Sequence, residues 1–356
     1  MINLGSKLRF STFLFFIFAT QTSISQVLLD ADGAGNTYEL ITSVLAPGYN
    51  PIEVPDCEHG AFGRHIDEVY DSDLGSNVFR FYMHVTDDSD RCINYDRQRN
   101  EIKSYDKSPD NLLGIEDEIV VYKWKFKIDA GFQSSSSFTH LHQLKSVGGS
   151  LASMPMYTLT TRKGSPDQLE LRYAETTSQV TLTKTDLAPF KGIWLDVTET
   201  ITYGTSGTYS LEIKKVSDGT VLFDYSNNSI INWRAGADFV RPKWGIYRSL
   251  NSPSDLRDEA VLFANFSIEE VSGLSTIDNK NQSLKLYPNP TNDYLFIEHT
   301  NGLHFNHITI YDITGKAVLS LKDSNNIDVS RLPNGFYFIS LKTQNDLVFR
   351  KRFIKN

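Results

Sequence analysis

Between residues 119 and 128 the chain alternates with a period of two. Val120, Tyr122, Trp124, Phe126 and Ile128 fall on one face, and Lys123, Lys125 and Lys127 on the other. That period belongs to a strand with one side on a core and the other in water, and it excludes an amphipathic helix there. The same period returns at residues 78 to 85, where Phe79, Phe81, Met83 and Val85 oppose Arg80, Tyr82 and His84. Further strands are predicted over 169–174, 180–183, 194–203, 209–215 and 221–225. Gly207, the Asp218-Gly219 pair and Asn227-Asn228 supply turns between them. Many short strands with turns between them specify an all-β sandwich or barrel. Composition agrees: 22 Phe and 17 Tyr suit pleated, half-buried surfaces.

At 356 residues the chain is long enough for two domains and a targeting segment. Lys7 and Arg9, the apolar run 10–19 and the small polar stretch 20–26 have the layout of a secretory signal peptide, 1–26, too short to span a membrane. No later segment is apolar enough to span one. A β domain is expected over 27–270, a polar linker over 271–283 and a smaller β unit over 284–356. In an exported chain the first reading of Cys57 and Cys92 is a disulfide, with two free thiols or half of a metal site as the alternative. The net charge of -8 argues against nucleic acid as a partner but leaves room for a local basic cleft.

Three predicted strands carry polar residues where a core strand would carry apolar ones. Residues 97–103 place Arg97, Arg99, Glu101 and Lys103 on one face. Residues 139–145 place Gln143 and Lys145 together, with His140 and His142 on the opposite face. Residues 243–249 bring Lys243, Gly245, Tyr247 and Ser249 together. A face so charged cannot be buried dry, but it could line a wet cleft for a polyanion. Taken singly, Arg97, Arg99 and Lys103 could equally be the solvated face of a sheet with Glu101 as ion partner, Tyr247 a core-edge tyrosine, and His140 or His142 hydrogen-bonded histidines of a sandwich.

Two resemblances follow from motifs in order along the chain. Leu286-Tyr-Pro-Asn-Pro290, residues 308–316, residues 327–338 and residues 350–355 resemble the C-terminal sorting domain of type IX secretion, an Ig-like β-sandwich. That implies the secretion machinery as a partner and export through the outer membrane. Arg99-Asn-Glu-Ile-Lys103, Gln143-Leu-Lys145, Lys243-Trp-Gly-Ile-Tyr247 and the tryptophan strand at 192–198 resemble the signature strands of jelly-roll polysaccharide lyases. Those enzymes act on alginate, glucuronan, heparin-type and ulvan polymers. The fold implied is a concanavalin-like β-jelly-roll. Lys145 stands where the alginate-type pattern has histidine, and a Lys and Tyr pair is similar to that of ulvan lyases. This directs the expectation to a sulfated, uronate-containing polysaccharide.

Uronate β-elimination needs the substrate carboxylate neutralised, a base for the C5 proton and an acid for the leaving oxygen. Tyr247 and Lys145 are expected to transfer protons, and Gln143 and Arg99 to neutralise the carboxylate. Arg97, Lys103, Lys243 and His142 are expected to bind neighbouring sugar or sulfate groups. Two other functions suit the same sandwich. One is a lectin-like binding module. The other is a glycoside hydrolase, for which Glu116-Asp-Glu118 is the nearest carboxylate cluster although it reads as a turn. No cofactor is required. Acidic loops such as Asp87, Asp88 and Asp90 would suit a structural calcium, but no spacing assigns metal ligands.

Overall fold

The structure is a computed structural model. It describes residues 25–271, 284–299, 305–312, 316–322, 324, 326–343 and 348–356. Residues 1–24 of the expected signal peptide and nearly all of the expected linker lie outside the described residues, while Ser25 and Gln26 belong to the first strand.

The strands of the larger unit are β1 (Ser25–Leu29), β2 (Ile52–Glu53), β3 (Ile66–Asp71), β4 (Ser76–Met83), β5 (Arg97–Lys103), β6 (Ile119–Lys127), β7 (Thr139–Val147), β8 (Tyr157–Arg162), β9 (Gln168–Tyr173), β10 (Val180–Asp186), β11 (Leu195–Thr202), β12 (Gly207–Lys215), β13 (Val221–Ile230), β14 (Phe239–Ser249) and β15 (Glu259–Val271). One helix, α1 (Thr37–Leu45), precedes β2. The strands form two antiparallel sheets of a β-jelly-roll. One runs β13-β12-β11-β6-β15-β4-β3, with β1 also paired to β15; the other runs β10-β9-β8-β7-β14-β5-β2.

The core lies between them. Val120, Tyr122, Trp124 and Phe126 of β6 are buried, as their alternation predicts, against Trp244, Ile246, Leu144 and Phe263. The lysines of the other face of β6 stay partly in water, with Lys127 bonded to Asp73 at 2.6 Å. Cys57 and Cys92 are joined in a disulfide. One expectation is corrected. Asn227-Asn228 is not a turn but part of β13, where Tyr209 pairs with Asn227. Residues 157–162 form a strand although their Thr-rich sequence shows no clean alternation of apolar and polar residues. Glu116-Asp-Glu118 is a turn, as read, with Glu118 accepting from the amide of Ile115 at 2.8 Å.

The smaller unit contains β16 (Leu284–Tyr287), β17 (Tyr294–His299), β18 (Phe305–Asp312), β19 (Ala317–Leu321), β20 (Asn326–Asp328), β21 (Gly335–Thr343) and β22 (Val348–Lys355). They form a three-stranded sheet, β16-β17-β20, and a four-stranded sheet, β19-β18-β21-β22. Leu295, Ile308, Ile310, Ile339, Leu341 and Phe353 form its core. Among the described residues no helix is long and apolar enough to cross a membrane.

Candidate active site

The outer face of the second sheet carries the charge. Because β5 and β14 pair in unbroken antiparallel register, Lys243 lies opposite Lys103, Gly245 opposite Glu101 and Tyr247 opposite Arg99. The two polar alternations read from sequence therefore meet as one surface. At Gly245 the backbone of β5 comes close to that of β14. This glycine's φ is +147°, and a Cβ there would lie 2.0 Å from the Asn100 carbonyl oxygen, so no other residue fits.

Tyr247 stands at one end of this face. The Arg99 guanidinium carbon sits 3.6 Å from its ring centroid, a cation–π stack. Arg97 Nη1 donates to Tyr247 Oη at 3.1 Å, and Phe138 packs on the ring at a centroid separation of 5.0 Å. Arg99 Nε donates to Asp90 at 2.8 Å, and its Nη1 donates to Glu101.

At the centre, Glu101 is fully buried and accepts from Arg99, from the Gln143 side-chain amide and from Lys243 Nζ, the last at 2.9 Å. Glu53 lies beside it, bonded to Lys243, to Lys103 at 2.8 Å and to Arg91 at 2.9 Å. Burial alone would push the Glu101 carboxyl up, but Lys243 and Arg99 reverse this and hold it down to about 2. Glu53 is likewise held well below the carboxylate range, because Lys243, Arg99 and Lys103 outweigh its burial. These carboxylates are ionised partners that allow cations to be buried at all.

The expected face of His140 is corrected by a bulge, whereas His142 keeps the core face that its alternation predicts, which rules out its expected role in sugar binding. Between Lys243↔Gln143 and Tyr247↔His140, β14 has one residue more than β7. His140 is thereby turned onto the charged face opposite Tyr247, with ring centroids 5.8 Å apart, and stacks on Phe138. Burial lowers its pKa to about 3, which keeps the imidazole neutral. His142 turns into the core instead. Its Nε2 meets buried Glu199 at 2.8 Å, its ring lies between Trp124 and Trp244, and Tyr209 completes Glu199 at 2.6 Å. His142 is a core residue, out of reach of a sugar on the outer face.

The register also places Lys145. It shares the charged face, but its register partner is Arg241, six residues along β14 from Tyr247. At roughly 3.3 Å per residue, those positions are about 20 Å apart. Lys145 Nζ donates to the Ser153 carbonyl at 3.0 Å. Burial, then the charges of Lys243, Arg99 and Arg241, lower its pKa to about 8. The backbone positions of Lys145 and Tyr247 are thus well separated along the face, although Lys145 still feels the charge of Arg99, which stacks on Tyr247.

Several residues of this face were not read from sequence. Arg241 continues the alternation of Lys243, Gly245 and Tyr247 one step back, a signal that was present. Glu53 comes from a two-residue strand and Thr158 and Thr160 from β8, none of which stands out in sequence, while Asp90, read as part of an acidic loop, serves as an ion partner of Arg99.

Residues 285–356 match the family model described as a secretion system C-terminal sorting domain. The chain therefore carries the address of an exported protein, and this segment is its link to the type IX secretion machinery. No curated protein sequence matches the chain. Among solved structures, the chain is similar to a PL-14 alginate lyase from Aplysia kurodai (14% identity, 68% of this chain and 97% of that one, TM-score 0.47). It is also similar to an endo-β-1,4-glucuronan lyase from Trichoderma reesei (14% identity, 57% and 85%, TM-score 0.40). A third likeness is to the family 7 alginate lyase A1-II' (15% identity, 62% and 93%, TM-score 0.42). Likenesses of this depth carry no argument about activity, so the chemistry rests on the site's own residues.

Proposed function

We propose that the chain is a secreted polysaccharide lyase that cleaves a uronate-containing, sulfated polysaccharide of the ulvan type by β-elimination. The observation that carries this reading is the setting of Tyr247. Its oxygen accepts from Arg97, so its own hydrogen remains to be given away, and Arg99 fixes the ring from one face. Tyr247 Oη receives the C5 hydrogen while handing its own hydrogen to the leaving oxygen. The C5 electron pair becomes the C4=C5 double bond, and the C4–O bond breaks. The side chain ends neutral as it began, and no water is consumed.

Arg99 and Gln143 are the groups for the substrate carboxylate. A guanidinium has five N–H donors and an amide two, so each keeps a donor beyond those given to Glu101 and Asp90. Arg97, Lys103, Lys243 and Lys145 supply positive charge along the face, which suits sulfate groups flanking the uronate. A hydrolase reading fits less well, because it needs a carboxyl that is protonated near neutral pH and Glu101 is held at about 2. The test is to incubate the chain with ulvan, glucuronan, alginate and heparin-type polymers and follow ultraviolet absorbance of the unsaturated uronate. Binding without new absorbance would favour a lectin; new reducing ends without absorbance would favour a hydrolase.

A further inference from the structure

Away from the charged face, three histidines from distant positions converge on one carboxylate. His59 follows the disulfide cysteine Cys57, His65 precedes β3, and His84 and Asp88 follow β4. One ligand atom from each lies within 4.8 Å of all the others. His59 Nδ1 and His65 Nε2 approach Asp88 Oδ1 at 3.2 and 3.0 Å, and His84 Nδ1 approaches Asp88 Oδ2 at 3.1 Å.

The surroundings are those of a prepared site. His65 turns Nε2 inward, while its Nδ1 lies 2.8 Å from Asp56 Oδ1. This carboxylate–imidazole arrangement fixes the tautomer and ring orientation of a metal-binding histidine. The Phe62 ring covers His84, His65 and His59 at centroid separations of 4.4, 4.8 and 5.3 Å. The Cys57–Cys92 disulfide ties together the two loops that carry His59 and Asp88.

We propose that His59, His65, His84 and Asp88 bind one zinc-class divalent ion. Three imidazoles and one carboxylate form a four-donor set of the tetrahedral kind. Calcium, which takes six to eight oxygen ligands, is disfavoured by three nitrogens. Zinc–ligand bonds of about 2.0–2.2 Å require the four donors to draw inward, with Asp88 giving up its hydrogen bonds to the rings and the imidazoles entering neutral.

The ion has a structural task that the register of β5 makes explicit. The side chains of β5 alternate between two supports. Gln98 and Asn100 reach inward: Gln98 donates to the carbonyls of His84, Val85 and Asp88, and Asn100 to those of His65 and Tyr82. Arg97, Arg99 and Glu101 reach outward to the candidate active site. Asp90, two residues beyond Asp88, holds Arg99 at 2.8 Å. The ion would lock the segment from which Arg99 is positioned.

The experiment uses the full chain purified without a polyhistidine tag. Metal content is read by mass spectrometry after dialysis against metal-free buffer and again after addition of zinc or calcium. The expected result is about one zinc per chain, a melting temperature raised several degrees by zinc and not by calcium, and loss of that zinc in His84→Gln and His59→Gln. Both variants alter partly exposed rings, and the wild-type stoichiometry stands even if either fails to fold. Wild-type protein that takes up no zinc, or takes up calcium in its place, would overturn the proposal. So would variants that fold and still retain the ion.

Discussion

Arg99 lies flat on the ring of Tyr247, its guanidinium carbon 3.6 Å from the ring centroid, while two of its nitrogens are tied to Asp90 and Glu101. The residue that holds the tyrosine is itself held from both sides. Lysine cannot reproduce a planar fork that stacks and donates at once. Arg99→Lys is therefore expected to lower kcat by about 10- to 100-fold. The melting temperature should fall only modestly, because the charge is retained. A kcat equal to wild type in steady-state assays would mean that the stack does not position Tyr247.

Lys145 separates two accounts of the proton transfer. If Tyr247 carries both protons, Lys145→Met should leave kcat within a few-fold of wild type and raise KM. Because the Lys145 ammonium loses its proton near pH 8, the wild-type KM should climb as pH rises through that value. Below it the charge is present and binding is complete. In the variant that dependence should weaken, what remains coming from Lys103, whose pKa burial also lowers to about 8. A loss of kcat as deep as that of Tyr247→Phe would instead make Lys145 the base.

The buried ion cluster predicts acid sensitivity. The folded-state pKa of Glu101 is depressed to about 2, so its contribution to stability is present above the ordinary carboxylate range and is lost as pH falls through about 2. Glu101→Gln keeps the shape but leaves Lys243, itself only 3% exposed, with one carboxylate fewer. A cost of about 3–5 kcal/mol is expected in urea unfolding at pH 7. A cost below 1 kcal/mol, on the order of a surface pair, would contradict the burial of this network.

The disulfide closes a loop with a sequence separation of 35, for which chain entropy gives about 4 kcal/mol. Cys57→Ser with Cys92→Ser should therefore lower the unfolding midpoint substantially. Addition of reductant to the wild type should bring it toward the same value.

The sandwich was legible because its strands obey the period of two wherever they face the core. Trp124 and Phe126 announce a buried face, and Lys123 and Lys125 a wet one. The charged face was also legible, since Arg97 to Lys103 and Lys243 to Tyr247 alternate without interruption. What failed were the statements that depend on register. A bulge between β7 and β14 turns His140 alone onto the charged face and leaves His142 in the core, and bulges leave no mark in a strand's own periodicity. The placement of His140 opposite Tyr247 is a consequence of strand pairing. The convergence of His59, His65 and His84 joins segments six and nineteen residues apart, which is not the spacing of a zinc motif.

The central claim is that Tyr247 performs an elimination. Its most direct test follows unsaturated-uronate absorbance for wild type and Tyr247→Phe on ulvan, with glucuronan, alginate and heparin-type polymers in parallel. The account predicts that the wild type generates the chromophore on ulvan. It also predicts that the phenylalanine variant, folded and melting as the wild type does, loses at least about 100-fold in rate. Undiminished rate in Tyr247→Phe, or a wild type that generates the chromophore from none of the polymers, would contradict it.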